Sequence, residues 1–134
     1  MSAILKFLKA LAGIPETKPL KQELWQVEGN KVRVRIDEAR ALGESSACFY
    51  LTGNGLEDPI LVVTDDEGSF HGFSNRCTHF GRKLDPVPGK RILRCCSVNH
   101  STFDYHGNRL AGPAKRPIKV YPIELKDGEL IIST

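Results

Sequence analysis

Two short stretches of this chain carry residue types that bind metals. RCTHFG, from Arg76 to Gly81, spaces Cys77 and His79 as C-x-H. RCCSVNHSTFD, from Arg94 to Asp104, holds Cys95, Cys96 and His100, with Cys96 and His100 spaced as C-x3-H. Sixteen residues separate His79 from Cys96. Two ligand pairs on two loops are what one metal centre needs, and thiolate plus imidazole suit zinc or iron. A mononuclear tetrahedron of Cys77, His79, Cys96 and His100 is one arrangement open to them, although two such halves are unusual for structural zinc. The four cysteines, Cys48, Cys77, Cys95 and Cys96, do not fall into a disulfide framework in a chain of this size.

Something must hold those loops, and the surrounding pattern is that of strands. KVRVRI (31 to 36) alternates apolar and basic residues, and ACFYLTG (47 to 53) and PILVVTD (59 to 65) are β-rich runs with the turn signals GNG and DDEG after them. SFHGFS, RILRC, TFDY, IKVYPIEL and ELIIST continue the pattern, and Asp127-Gly128 between the last two predicts a hairpin. The fold expected is an all-β antiparallel sandwich or barrel. The stretch from Arg76 to Ala114 is rich in Gly, Pro, Cys and His, and reads as a loop-built site carried by the β scaffold. Ahead of the strands, Ile4, Phe7, Leu8, Leu11 and Ile14 recur at helical spacing with Lys6 and Lys9 opposite, and Pro15 closes the segment. This predicts a short N-terminal amphipathic helix, with the polar residues around Pro19 as a linker.

Composition narrows the functions. A chain of 134 residues is expected to form one domain, large enough to bury a core without disulfide staples. The formal net charge of +3, from 19 Lys and Arg against 16 Asp and Glu, is far from the basic excess of a nucleic-acid binder. No apolar run of about 18 residues occurs, so no membrane span is expected. The N-terminal segment lacks a small-residue cleavage site and a twin arginine, making it a poor secretory signal and cytoplasmic the expected location.

With these motifs in place, the chain resembles the Rieske family, whose [2Fe-2S] domains carry C-x-H and C-x2-H boxes with a similar gap. The resemblance covers about residues 31 to 134. ILVVTDDEGSFHGFSNRCTHFG looks like the family's strand, hairpin and first box, FDYHGNRLAGPAKRPIKVYPIEL looks like the segment after its second box, and Gly112 to Ala114 matches its proline loop. It implies an organisation of helix and linker over 1–20 and a Rieske-like domain over 21–134, with the cluster-binding subdomain at about 75–115. It implies a [2Fe-2S] cluster held by Cys77, His79, Cys96 and His100: two thiolates on the inner iron, two neutral imidazoles on the outer one. It implies one-electron transfer, with a reductase and a terminal oxidoreductase as partners and no substrate chemistry of the chain's own. A Rieske-fold docking subunit that has lost its cluster, as in the small subunit of some nitrite reductases, is the alternative.

The resemblance has one departure. Anchored on Phe103-Asp104 and on Gly112-Pro113-Ala114, the family's second-box cysteine falls on Cys96, its histidine falls on Asn99, and His100 falls where glycine is usual. Either the loop is rebuilt to bring His100 to the iron, or Asn99, water or nothing fills the fourth position; our reading takes His100, because imidazole is the better iron ligand. Ser101 aligns with the serine that hydrogen-bonds a cluster sulfur in high-potential members, and Phe103 stands where those members have a hydrogen-bonding tyrosine. A solvated loop hydroxyl is the plain alternative for Ser101. Arg82 and Val98 replace the cysteines that form a disulfide in those members. Cys95 is expected to be a buried strand residue, Cys48 a core residue, His71 a strand residue and His106 a turn residue. Arg82, Lys83, Lys90, Arg91, Lys115 and Arg116 are expected on or beside the ligand loops, as a basic rim for an acidic partner.

Overall fold

The structure is a computed structural model that describes residues 17–44, 47–76, 84–87, 90–95, 101–112 and 116–134. The segment expected to form the N-terminal helix lies outside them. The chain divides into two compact units: one is formed by Lys18–Ser74 with Val120–Thr134, and the other contains Thr17 and residues 75–119.

The first unit holds two four-stranded antiparallel sheets. Strands β1 (Trp25–Glu28), β2 (Lys31–Val34), β11 (Ile123–Lys126) and β12 (Glu129–Ser133) form one, in the order β1-β2-β12-β11. Strands β3 (Cys48–Leu51), β4 (Ile60–Thr64), β5 (Phe70–Ser74) and β10 (Val120–Tyr121) form the other, in the order β10-β5-β4-β3. Alternation places Val32, Val34, Leu130 and Ile132 of the first sheet in one core with Phe49, Leu51, Ile60 and Val62 of the second. Arg33, on the opposite face of β2, meets Glu28 at 2.7 Å and Glu129 at 3.6 Å. β4 is buried along Ile60–Val63, which is why PILVVTD reads as a continuous apolar run rather than an alternating one. Each such aliphatic side chain contributes about 1.5–3 kcal/mol on burial.

The hairpin expected at Asp127-Gly128 joins β11 to β12. Both residues have positive φ, 51° and 76°, as a type I′ turn requires. Three features depart from the sequence reading. β1 precedes the expected start of the β region and turns into β2 through Gly29, whose φ of 59° suits the first position of a tight hairpin. The alternation of KVRVRI ends at Val34, and Ile36–Ala41 forms a short helix, α1. Ile36 and Ala39 are its buried residues, Asp37 and Glu38 lie in its first turn and Arg40 in its last, a charge order that suits the helix dipole. Around Pro19, Leu20 N–H donates to Tyr50 O at 2.9 Å and Tyr50 N–H to Lys18 O at 3.1 Å, so the chain runs beside β3 and buries Leu20.

β5 and β10 flank the segment that builds the second unit, and they pair with each other: Phe73 opposite Val120 and Gly72 opposite Tyr121. The chain therefore leaves this sheet at Ser74 and rejoins it beside its point of departure. Gly72 permits the close approach, since a Cβ there would lie 3.0 Å from Ile123 Cδ1 and 3.1 Å from Tyr121 O.

The second unit holds one antiparallel sheet of short strands, β6 (Leu84–Pro86), β7 (Ile92–Cys95), β8 (Thr102–Asp104) and β9 (Arg109–Ala111), in that order. Leu84, Leu93, Cys95, Phe103 and Ile118 are its buried apolar residues among those described. The sequence pattern does not announce β6 and β9. Each has three residues, too few for a period of two to register.

Candidate metal centre

Cys77, His79, Cys96 and His100 lie outside the described residues, as do Asn99, Val98, Arg82, Lys83 and Lys115. Among the described residues, no group of three or more His, Cys, Asp or Glu side chains could hold a metal ion. What the structure gives is the frame from which the ligand-bearing segments leave.

That frame has a consistent polarity. Leu84, the first residue of β6, pairs with Cys95, the last of β7. Cys95 N–H donates to Ser101 O at 2.9 Å, closing the ends of segment 96–100. Asn75 Oδ1 accepts from Leu84 N–H at 2.8 Å, closing the ends of the segment that bears Cys77 and His79. β8 starts at Thr102, which pairs with Ala111, the last residue of β9. Because the strands are antiparallel, the segment before β6, the one between β7 and β8 and the one after β9 all depart from one end of a single sheet. These are the segments of the first box, the second box and the proline loop. Gly112, where the third begins, has φ 94°, and its carbonyl accepts from Arg109 Nη1 at 3.2 Å.

The opposite end carries only connections. Val87 N–H donates to Ile92 O at 2.8 Å across the β6–β7 turn. Lys90 and Arg91, which the sequence reading put in a basic rim, belong to that turn, at the end opposite to the one from which the ligand segments leave. Arg116, on the return to the first unit, is exposed. The β8–β9 turn is organised by Asp104, whose Oδ1 accepts from His106 N–H and Asn108 N–H at 2.9 Å each. Burial by itself would raise the Asp104 carboxyl, but the backbone bonds from Asn108 and His106, the Asn108 amide and the nearby His106 ring together hold it below its ordinary value. His106 thus sits in a turn, as expected.

The remaining candidates resolve plainly. Cys95 is buried at the end of β7, on the same side as Leu93. Cys48 is half-buried rather than core: Phe49 and Leu51 take the inward positions of β3, and alternation leaves Cys48 off that face. His71 is a β5 residue whose Nε2 lies 2.7 Å from Asp65 Oδ2, with its ring stacked on Phe73. Ser101 is fully buried, which excludes a solvated hydroxyl. Phe103 is fully buried as well.

Sequence reasoning missed Asn75. It is fully buried, and its Nδ2 finds no acceptor among the described residues. Its position two residues before Cys77 was visible, but nothing in its type marked it. An unmatched buried N–H donor two residues before Cys77 suits a sulfur-rich, electron-accepting group, whose thiolate and sulfide sulfurs accept hydrogen bonds. The described neighbours therefore fit an iron–sulfur cluster.

Comparison with known proteins bears on the same segments. The family described as Rieske [2Fe-2S] domain matches residues 23–122. The cytochrome b6-f complex iron-sulfur subunit 2 of Nostoc sp. (strain PCC 7120) is 26% identical over 106 residues, covering 78% of this chain and 59% of that protein. The chain thus spans somewhat more than half the length of that relative. Among solved structures, the plasma membrane Rieske protein of Synechocystis PCC 6803 superposes with a TM-score of 0.55 at 20% identity, over 73% of this chain and 93% of that one. The ferredoxin of carbazole 1,9a-dioxygenase from Nocardioides aromaticivorans IC177 superposes with a TM-score of 0.56 at 23% identity, over 65% and 84%. At these identities the structures share the fold. No helix among the described residues is long and apolar enough to cross a membrane. The family match runs from before β1 to the end of β10, through the whole sheet that frames both boxes, and on that ground the chain belongs to the Rieske [2Fe-2S] domain family, whose cofactor is a [2Fe-2S] cluster.

Proposed function

We propose that the chain is a one-electron carrier between a reductase and a terminal redox enzyme, as an oxygenase-type ferredoxin or the redox subunit of a larger oxidoreductase. Cys77, His79, Cys96 and His100 are its cluster ligands. The observation that carries this reading is the common departure of the first-box, second-box and proline-loop segments from one end of the β6–β9 sheet. When bound, the cluster supplies a one-electron couple in the range of about −150 to +300 mV. The chain's own residues hold the ends of the ligand segments, through Asn75 to Leu84 and Cys95 to Ser101, and Asn75, Cys95 and Ser101 at those ends are buried. A fixed frame lowers the reorganisation that electron transfer must overcome. Arg116, exposed beyond the proline loop, favours an acidic partner surface.

Protein purified in air should be reddish brown, contain about two irons and two sulfides per chain, and show a low average g value when reduced. Zinc, or no metal, would overturn the carrier reading in favour of a docking subunit. His100→Ala should abolish the Rieske spectrum while Asn99→Ala leaves it intact. The reverse pattern would move the fourth ligand position to residue 99.

A further inference from the structure

Asn75 has a defined orientation. Leu84 N–H is a donor, so the side-chain atom that meets it at 2.8 Å must be the oxygen, and the other end of the amide must be the NH2 group. The usual ambiguity between amide oxygen and nitrogen is thus removed by the partner. The NH2 end is buried, the residue is fully shielded from solvent, and no described residue accepts from it. A buried donor left unmade carries its full desolvation cost, so native structures supply an acceptor. With bulk solvent and the described residues excluded, the acceptor is left to the adjoining segment, which begins with Cys77 two positions on, or to a group held there.

We propose that Asn75 has two roles at the centre: Oδ1 fixes the end of the first ligand segment on Leu84, and Nδ2 donates a hydrogen bond to a sulfur of the cluster. The proposal rests on the carrier reading above. Negative charge on the sulfurs grows on reduction, so a donor of this kind binds the reduced state more strongly and raises the reduction potential. A donor that served a backbone carbonyl would stabilise the segment and leave the potential alone.

Two variants separate these roles. Asn75→Ala removes both hydrogen bonds, while Asn75→Asp keeps an acceptor for Leu84 N–H and removes the donor. Each should retain the Rieske spectrum, and in each the electron affinity should fall about tenfold, a drop of about 59 mV for a one-electron couple. Wild-type protein labelled with 15N-asparagine gives a second reading that needs no variant to fold: the Asn75 side-chain amide signal should be shifted or broadened by the cluster and should change on reduction. An unmoved potential with intact spectra, or an Asn75 amide signal at an ordinary position in both redox states, overturns the assignment to sulfur while leaving the carrier reading standing. Wild-type protein without iron and sulfide overturns both.

Discussion

Removing the Ser101 hydroxyl tests whether that side chain serves the proposed centre. Ser101 is fully buried, and its backbone carbonyl, not its side chain, closes the ends of segment 96–100 by accepting Cys95 N–H at 2.9 Å. Ser101→Ala therefore leaves that closure intact and deletes a single oxygen. A hydrogen bond from a hydroxyl to a charged acceptor contributes about 1.5–3 kcal/mol. The potential responds to the part of that energy by which the bond strengthens on reduction. If about half is redox-dependent, the difference is about 0.8–1.5 kcal/mol, which for a one-electron couple is about 30–65 mV. Phe103 offers no second hydroxyl to hide the change. Redox titration monitored by the reduced-state EPR signal should show the potential falling by this order with the spectrum retained, and denaturant unfolding should show a loss of about 1 kcal/mol. A variant that loses stability but keeps the wild-type potential would refute the reasoning, because its hydroxyl would then serve a protein acceptor.

The frame itself yields two further expected outcomes. Asp104 has a folded-state pKa below its ordinary 3.8, so its contribution to stability is fully present above that value and is lost as pH falls through the lowered one; a carboxyl 13C titration should give a midpoint below 3.8, and a midpoint at or above it would contradict the hydrogen-bonding account. Gly72→Ala should destabilise the first unit by about 1–2 kcal/mol in thermal or denaturant unfolding, since Tyr121 O at 3.1 Å is held by the β5–β10 pairing and cannot yield cheaply. Gly72→Ala protein as stable as wild type would show that the pairing shifts freely.

The sequence was most legible where a single physical rule decided the outcome. A two-residue turn between alternating runs has few solutions, and Asp127-Gly128 takes the one with both φ values positive. Val32 and Val34 alternate with Lys31 and Arg33 because one face of β2 is packed and the other is not. Legibility failed where two rules agreed on burial but not on backbone: Ile36 is buried whether the strand continues or a helix begins, and the helix-forming Asp-Glu-Ala-Arg immediately after it decided for the helix. At the centre, residue types and spacing pointed to the family that the match over residues 23–122 shows, while the ligand roles of Cys77, His79, Cys96 and His100 stand as proposed. Asn75 could not be read that way. Its importance lies in what it lacks, an acceptor among the described residues, and absence leaves no mark on a sequence.

Ligands and frame should respond differently to change. The short strands β6 to β9 fix where the ligand segments begin and end, through pairings such as Leu84 with Cys95 and Thr102 with Ala111 that no ligand residue takes part in. Cys95 N–H and Ser101 O join the two ends of segment 96–100, so its ends are held whatever its interior residues do. Substitutions at the proposed ligands Cys77, His79, Cys96 and His100 should then act as all-or-none events, since a missing thiolate or imidazole would remove a bond to iron. Substitutions at Asn75 and Ser101 should act by degrees, since each removes a hydrogen bond and leaves the ligand set whole. On the proposed reading, potential is therefore tuned at the ends of the segments, at Asn75 and Ser101, without touching the residues that bind iron.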